Sequence, residues 1–275
     1  MNHFDIEFAA VTDIGKIREK NEDNVLISSE LALGVVADGM GGHSAGEIAS
    51  SIAVSVLAET IRKINAGDMQ IPPDFLPKLS PVERELLMAA NLANAAIYST
   101  AQSSSTYKMM GTTLTGVLFD HDQAIAVHVG DSRIYLIRDG KIVQITTDHS
   151  LAMEHVRRGL LSKEEADHSK LQNILTRAMG IKKNIEFDLL KFPVKPGDIL
   201  VLCSDGLYKG LTEKTIGDII VQEKDIPIVK LCKHLVRTSN DLDGQDNISA
   251  VVIKILAPKP VSLKQKVHKL FSNKA

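Results

Sequence analysis

Four short apolar runs of this chain each adjoin an aspartate, and this recurrence constrains the fold more than any other feature. The four aspartates, with the neighbouring runs in parentheses, are Asp38 (31–37), Asp131 (124–129), Asp205 (199–203) and Asp246 (248–256). Apolar runs of this length are typical of buried strands. A carboxylate at the end of a buried strand has lost part of its hydration and needs a partner. Because few cations lie beside these aspartates in the sequence, the pattern predicts a shared hard cation, Mg²⁺ or Mn²⁺.

The turn after residues 31–37 is the most distinctive of the four. Three glycines lie within the four positions after Asp38, and Ser44-Ala45-Gly46-Glu47 then has the pattern of a helix capping box. The predicted order is therefore buried strand, acidic turn and helix, an arrangement that bares backbone groups beside the carboxylate. Taken alone, the same residues also suit a tight strand-to-helix turn in which Asp38 is only a local cap.

Composition restricts the class of protein. The 275 residues suit one large domain or two small ones, and a net charge of −2 implies no general affinity for nucleic acid or anionic membranes. The two cysteines, Cys203 and Cys232, lie in apolar patterns, which favours core packing over a zinc site or a disulfide framework. The N-terminus lacks the basic and apolar regions of a signal peptide, and no apolar stretch approaches the roughly 18 residues of a membrane span. We therefore predict a cytoplasmic protein.

Hydrophobic periodicity predicts short strands joined by hairpins, with helices between runs of strands. The predicted strands are residues 4–11, 25–29, 31–37, 111–119, 124–129, 134–138, 142–145, 185–191, 199–204 and 248–256. The predicted helices are residues 44–64, 80–101, 150–159, 162–167, 212–221 and 226–238. Strict strand–helix alternation is absent, and neither GxGxxG nor GxxxxGK[ST] occurs, which disfavours a dinucleotide or P-loop site. Antiparallel sheets with helices packed outside them fit the pattern better.

Two segments differ in character from the rest of the chain. Residues from about 150 to 169 are charged and only weakly amphipathic, so we expect an exposed and mobile flap. The tail, residues 258–275, has five lysines and no acidic residue, with apolar residues at helical spacing. It is either a solvated helix or frayed end, or a segment that docks on a partner or on an anionic membrane surface.

Seven motifs together match a known family in their order along the chain. They are GKIREKNED (15–23), VADGMGGH (36–43), GTTL (111–114), HVGDSR (128–133), TDHS (147–150), CSDGL (203–207) and DNIS (246–249). The chain thereby resembles the metal-dependent protein phosphatases of type 2C (PPM), in their compact bacterial form. The resemblance implies an α+β fold, a four-layer sandwich of two antiparallel β-sheets flanked by pairs of α-helices. It also implies that residues 1–257 form the phosphatase domain.

The resemblance further implies hydrolysis of phosphate monoesters on protein serine or threonine by water, without a phospho-enzyme. It implies two Mn²⁺ or Mg²⁺ ions, which would lower the pKa of a bound water towards neutrality. The implied ligands of this pair are Glu22, Asp38, Gly39 through its carbonyl, Asp205 and Asp246. Asp131 would join Asp205 in holding a third, weaker ion. Arg18 matches the arginine that grips the substrate phosphate, and a planar guanidinium suits two phosphate oxygens.

The residues by themselves leave other roles open. The metal-binding aspartates can be turn caps, Asp131 can pair with Arg133, and Arg18 can be a surface cation of its loop. Asp23 suits either support of a ligand or an Asx turn.

The identity of the general acid is also open. Animal members carry a histidine directly after Asp-Gly, where this chain has Met40, which cannot donate a proton. A water on the metal, His43 or no acid at all remain alternatives. We expect His149, at the start of the flap, to support the flap rather than take part in catalysis.

We therefore predict a cytoplasmic, monomeric, Mn²⁺- or Mg²⁺-dependent serine/threonine phosphoprotein phosphatase that opposes a serine/threonine kinase in signalling. One alternative is a hydrolase of small phosphate esters or nucleotides on the same metal site, against which the 4% aromatic content and the absence of tryptophan weigh. Another is an inactive phosphatase-like binding module, which would be expected to lack some of the ligands.

The departure at Met40 generates a prediction about His43. Because His43 lies at the predicted helix start and can point away from the substrate, we expect His43→Ala to lower kcat on a phosphopeptide less than tenfold. A loss of a hundredfold or more would identify His43 as the general acid.

Overall fold

The computed structural model describes residues 4–41, 45–167 and 169–258. The strands are β1 (Asp5–Asp13), β2 (Asp23–Ser28), β3 (Leu33–Met40), β4 (Gly111–Thr112), β5 (Leu114–Asp120), β6 (Gln123–Val129), β7 (Arg133–Arg138), β8 (Lys141–Gln144), β9 (Asp188–Pro193), β10 (Ile199–Cys203) and β11 (Ile248–Leu256). The helices are α1 (Ala45–Ala66), α2 (Pro81–Ser103), α3 (Leu151–Arg157), α4 (Lys163–Asp167), α5 (Asp205–Gly210), α6 (Glu213–Glu223) and α7 (Ile228–Leu242).

The strands form two sheets whose inner faces pack on each other. The first sheet has the order β1-β11-β10-β7-β8, and the second has the order β2-β3-β5-β6-β9, with β4 paired to β3. Neighbouring strands are antiparallel throughout. Val36 and Val117 of the second sheet pack with Leu200 and Val251 of the first in one buried cluster. Burial of such side chains stabilises the pair of sheets by roughly 25 cal/mol per Å² of apolar area.

Helices cover both outer faces. Helices α1 and α2 pack on the second sheet in a cluster that includes Leu57 and Ile97. Helices α5, α6 and α7 pack on the first sheet in a cluster that includes Leu207, Ile216 and Leu235. The predicted four-layer α+β sandwich is therefore confirmed.

Side-chain caps and tight turns fix the ends of two elements. The Ser80 N–H donates to Glu83 Oε2 at 2.8 Å, and the Glu83 N–H donates to Ser80 Oγ at 3.4 Å, so α2 begins with a capping box. Asp139 and Gly140 both have positive φ, 52° and 77°, as the tight β7–β8 hairpin requires. The capping box predicted at Ser44 lies outside the described residues.

The structure differs from the predicted elements in several places, one of which is that β3 continues through Asp38 to Met40 instead of ending at residue 37. The predicted strand 111–119 is divided into β4 and β5 because Thr113 turns its hydrogen bonds towards Asp38 and Ser132. Strand β9 begins at Asp188 instead of residue 185. Helix α5 was not predicted, since its six residues are too few to show a helical period.

The flap contains the two predicted short helices, α3 and α4. The helices α3 and α4 contact each other, and Ala152 and Ala166 are buried, while Leu160 between the helices is 63% exposed. The mobility of the flap stays a prediction. In the parts of the chain that the structure describes, no helix is both long and apolar enough to cross a bilayer. The predicted tail lies, from residue 259 onwards, outside the described residues.

Glu85 of α2 makes stability depend on pH. It is only 7% exposed, and no described residue gives its Oε1 a hydrogen bond. Burial, reinforced by the charge of Asp120, raises the pKa of Glu85 from 4.5 to about 7. The folded state therefore holds this proton more tightly than the unfolded state, and the free energy of unfolding falls as pH rises from about 4.5 through 7.

We expect Glu85→Gln to raise the free energy of unfolding at pH 8 by about 1–2 kcal/mol, a value reduced for partial solvent screening. At pH 4.5 the two proteins should differ little. Urea unfolding at both pH values measures the difference. Glu83→Gln is the matched control on the same helix, because its capping bonds lower the pKa of Glu83, and it should give no gain at pH 8. An equal effect of Glu85→Gln at both pH values would contradict the assignment.

Candidate metal centre

One cavity of about 800 Å³ gathers every site residue predicted from the sequence. These residues are Arg18, Glu22, Asp38, Gly39, Asp131, Asp205 and Asp246. They come from positions as far apart in the chain as 18 and 246, so the fold alone brings them together.

Antiparallel pairing explains why the strand ends converge. Asp205 follows the end of β10 and Asp246 precedes β11, and the two strands are neighbours with Cys203 opposite Ala250. In the second sheet, Asp38 of β3 lies opposite Asp23 of β2. The end of one antiparallel strand meets the beginning of the next, so each sheet delivers carboxylates to the same edge.

The backbone of Asp38 is tied to the segment between β4 and β5. Its N–H donates to Thr113 Oγ1 at 2.8 Å, and its carbonyl accepts from the Thr113 N–H and from Thr112 Oγ1, both at 2.9 Å. Burial raises the pKa of the Asp38 carboxyl well above its usual range, and the charges of Asp23 and Asp205 raise it further. A carboxylate in this environment is strongly stabilised by a nearby cation.

Burial also raises the pKa values of other acids in the cluster. Burial and the neighbouring Asp205 raise the pKa of Asp131 to about 7. Burial raises the pKa of Asp205 and, to about 7, that of Asp23, although hydrogen bonds oppose the rise. Burial also raises the pKa of Glu22. Among the described residues, Asp23 Oδ1 and Asp205 Oδ1 are buried and accept no hydrogen bond.

Two cations of the protein itself meet these acids. The Nη2 atom of Arg18 lies 2.8 Å and 2.9 Å from the two carboxylate oxygens of Asp246. Lys209 Nζ donates to Asp205 Oδ2. Within residues 4–41, 45–167 and 169–258, no three acidic, histidine or cysteine side chains close around one point as a ready-made ion site. The cluster thus surrounds a cavity, and its carboxylates pair in part with arginine and lysine.

Asn247 holds the loop that carries Arg18 and Glu22, a role that sequence reasoning missed. Its Oδ1 accepts from the Glu22 N–H at 2.8 Å, and its Nδ2 donates to the carbonyls of Ile14 and Lys20, both at 2.9 Å. The signal was available, since Asn247 directly follows a predicted ligand in the DNIS motif.

Close backbone approach explains the glycine at position 39. A Cβ atom there would lie 2.2 Å from the Gly46 carbonyl oxygen and 2.5 Å from that of Glu22. Only glycine lets β3, the start of α1 and the Glu22 loop meet at this distance. Gly39 therefore lines the cavity next to the carboxylates.

The structure also bears on the alternative roles. Arg133 pairs with Asp148, at 2.7 Å, and not with Asp131. Asp23 accepts from Ser204 Oγ at 2.7 Å, which joins β2 to the residue before Asp205. Met40, which replaces the histidine of animal members, lines the cavity. His43 lies outside the described residues.

His149 is buried beneath the flap and is absent from the cavity lining. Its Nδ1 accepts from the Gly130 N–H at 3.1 Å, and its Nε2 lies 3.2 Å from Asp188 Oδ2. These contacts connect the flap start to the strands below it, which is consistent with the predicted structural role.

The donor set fits hard divalent cations. Carboxylate and carbonyl oxygens on separate turns are the ligands that Mg²⁺ and Mn²⁺ prefer, and the orphaned oxygens of Asp23 and Asp205 show that the acids outnumber their partners. A buried acidic cavity with an arginine at its edge, between two helix-covered sheets, is typical of a metal-dependent phosphatase.

Comparison with known proteins identifies the family. The Protein phosphatase 2C family model matches residues 18–251. The serine/threonine phosphatase stp of Listeria welshimeri is 34% identical over 246 residues, covering 88% of this chain and 93% of that protein. Protein phosphatase PhpP of Streptococcus pneumoniae is 35% identical over 253 residues, covering 91% and 98%. The chain belongs to the protein phosphatase 2C family, and it is a serine/threonine phosphatase.

Solved structures of serine/threonine phosphatases have the same fold as this chain. The crystal structure of the serine/threonine phosphatase PstP/Ppp of Mycobacterium tuberculosis matches with a TM-score of 0.79 at 32% identity, over 91% of this chain and 99% of that one. The catalytic domain of PstP in complex with two manganese ions matches with a TM-score of 0.75 at 32% identity, over 91% and 98%.

Repulsion among the acids predicts that removing one of them raises stability without metal and weakens metal binding. Without divalent ions, we expect Asp38→Asn to raise the free energy of unfolding at pH 7.5 by about 1–2 kcal/mol, since it removes a buried charge that its neighbours repel. This corresponds to a rise in Tm of about 2–8 °C. In 1 mM Mn²⁺, the wild type should gain in Tm while Asp38→Asn gains little.

Differential scanning fluorimetry in EDTA and in Mn²⁺ measures both effects. Asp218→Asn is the matched control, because Asp218 is half-exposed and pairs with Lys214 on α6, away from the cavity. A loss of stability for Asp38→Asn in EDTA would contradict the repulsion argument.

Proposed function

We propose that this chain uses a pair of Mn²⁺ or Mg²⁺ ions to hydrolyse phosphoserine and phosphothreonine monoesters of proteins. The observation that carries the proposal is the convergence of the acids around one cavity with Arg18 at its edge. Asp38 would bridge the two ions. Asp205 and Asp246 would hold one of them, and the Gly39 carbonyl with Glu22 the other. When bound, such a pair activates a water for attack on phosphorus and neutralises charge on the phosphoryl oxygens.

Arg18 is suited to bind the substrate phosphate. Its side chain is 51% exposed, so the guanidinium can exchange Asp246 for an incoming phosphate without leaving its loop. Asn247 donates to the Lys20 carbonyl of that loop and so limits the positions that the guanidinium can occupy. A bidentate contact with phosphate would place the ester beside the metal ligands.

The far wall of the cavity suits the protein part of the substrate. It includes Met109 and Ile181, which are 70% and 37% exposed, together with Lys182. Leu175 lines the same wall and forms a bridge with Ser150 at the base of the flap. Apolar and basic groups beside the metal centre favour a peptide over an isolated phosphate ester, and we propose that the flap, residues 150–169, contributes to selectivity.

The wider setting follows from this activity. A phosphoprotein substrate requires a kinase that phosphorylates serine or threonine, so we propose an opposing kinase and a role in cytoplasmic signalling. We further propose that residues 1–257 act as one phosphatase domain, as a monomer, and that the tail is a solvated end or a docking segment. A third, weaker ion would take Asp131 and Asp205 as ligands.

A phosphothreonine-peptide assay tests the proposal. We expect EDTA to abolish turnover, Mn²⁺ to restore it, and Asp205→Asn to lower kcat/KM at least a hundredfold at 1 mM Mn²⁺, because it removes a charged ligand. Arg18→Ala should raise KM more than it lowers kcat.

Asp218→Asn serves again as the control and should retain wild-type activity. Full turnover in EDTA would contradict a metal-dependent reaction. A kcat/KM for a nucleotide that exceeds the value for the peptide would instead favour hydrolysis of small phosphate esters.

A further inference from the structure

Asn94 of α2 is a buried polar residue that the proposed reaction does not use. It is 1% exposed and shares a face of the helix with Ala90 and Ile97, which pack on the second sheet. Asparagine is unfavourable within a helix, and its amide is costly to bury unless both its oxygen and its N–H groups find partners. The position of Asn94 near the middle of α2 therefore requires an explanation.

The hydrogen bonds of the Asn94 side chain all go to one segment, residues 180–183, which we call the 180–183 loop. Its Oδ1 accepts from the Gly180 N–H at 2.9 Å. Its Nδ2 donates to the carbonyls of Lys182 and Lys183, at 3.2 Å and 3.0 Å. The reverse orientation of the amide would place N–H against N–H and oxygen against oxygen. The loop therefore offers the pattern of donor and acceptors that an asparagine at position 94 satisfies.

The 180–183 loop is also seated on α2 by close packing. Gly180 has a φ of 83°, and a Cβ atom there would lie 2.4 Å from Ile97 Cγ2, so a side chain would push the loop off the helix. Directly before the loop, the Met179 N–H donates to the Thr112 carbonyl at 2.9 Å, and Thr112 Oγ1 donates to the Asp38 carbonyl at 2.9 Å. The loop is thus fixed both to α2 and to the strand that carries Asp38.

Two side chains of the loop, Ile181 and Lys182, line the cavity of the candidate metal centre. A Cβ atom at Gly111 would lie 3.1 Å from Ile181 Cδ1 and 2.8 Å from Met40 Cε, so Ile181 and Met40 cover the same glycine. Met40 directly follows Gly39, and both line the cavity. Since apolar side chains do not bind metal or phosphate, Ile181 and Met40 form an apolar surface beside the metal ligands that suits the polypeptide part of a substrate.

We propose that Asn94 is a positioning residue for substrate binding, because it holds the 180–183 loop where Ile181 contacts an apolar side chain next to the phosphorylated residue. A loop that is already ordered costs less conformational entropy when the substrate binds. Without the Asn94 amide, the peptide would have to order the loop itself. This inference rests on the proposed function and deepens it, since it assigns recognition of the peptide chain to a segment outside the flap.

Steady-state kinetics in 1 mM Mn²⁺ with two substrates test the inference. One is a phosphothreonine peptide with an apolar residue on each side of the phosphothreonine, and the other is p-nitrophenyl phosphate, which has no peptide chain. We expect Asn94→Ala to raise KM for the peptide about fivefold to tenfold while kcat changes less than about twofold. The fall in kcat/KM should be about fivefold larger for the peptide than for p-nitrophenyl phosphate.

Two further variants of α2 support the comparison. Asn94→Leu removes the same hydrogen bonds but fills the volume, so it should reproduce the kinetic effect without a cavity. Asn91→Ala is the matched control, because Asn91 is exposed on the same helix and its Nδ2 donates to the Leu87 carbonyl of that helix. It should match the wild type with both substrates. Circular dichroism verifies that each variant is folded.

A double-mutant cycle tests whether Asn94 acts through Ile181. Ile181→Ala alone should also raise KM for the peptide, and because Ile181 is 37% exposed this variant does not depend on core packing. If Asn94 acts by placing Ile181, KM of Asn94→Ala/Ile181→Ala should stay within about twofold of the larger single effect. Effects that multiply would show that Asn94 acts elsewhere.

The outcomes separate this inference from the proposed function. An unchanged peptide KM in folded Asn94→Ala or in Ile181→Ala, or equal falls in kcat/KM for both substrates, would overturn the role of Asn94 and leave the metal centre intact. A wild type that hydrolyses p-nitrophenyl phosphate equally well in EDTA and in Mn²⁺ would overturn the proposed function itself, and this result needs no Asn94 variant.

Discussion

Repulsion among buried carboxylates is the constraint on which the catalytic end of this molecule depends. Asp38, Asp131 and Asp205 share one cavity, and burial together with the charge of neighbouring carboxylates raises the pKa of each. Each unit of pKa shift corresponds to about 1.4 kcal/mol, against a total stability of about 5–15 kcal/mol for a typical domain. Cations offset part of this repulsion, since Lys209 pairs with Asp205 and Arg18 with the neighbouring Asp246. The proposed divalent pair would offset the rest.

The two-sheet core supplies the resistance to that repulsion. The strands that end in ligands have fully buried apolar residues directly behind them, such as Val36 and Leu202 in the layer between the sheets. A close-packed interior does not deform gradually, so the strand ends keep their spacing even when their side chains repel one another. Covalent order along the chain matters less here than the antiparallel register, which sets opposite ends of neighbouring strands side by side.

Polar side chains between elements then set the finer geometry. Asn247 joins the Glu22 loop to the start of β11, Thr113 holds the backbone of Asp38, and Ser204 connects the end of β10 to Asp23. Arg133 binds Asp148 and stacks on Tyr208, which couples the base of the flap to α5. Each of these residues acts by holding another residue in place, so substitution would move a ligand rather than remove one.

Hydrophobic periodicity and turn residues, which are local properties, sufficed to predict most strands, the long helices and the grouping of Asp38, Asp205 and Asp246 at one site. That these acids bind a cation stays a prediction. The short helix α5, with the contact between Lys209 and Asp205, could not be predicted in this way because six residues are too few to show a helical period. The contacts of Asn247 could not be predicted because its partners lie far away in the chain. The identity of the acids was determined by sequence alone. Which cation each acid faces was decided by tertiary structure, since Coulomb energy depends on distance in space and not on separation along the chain.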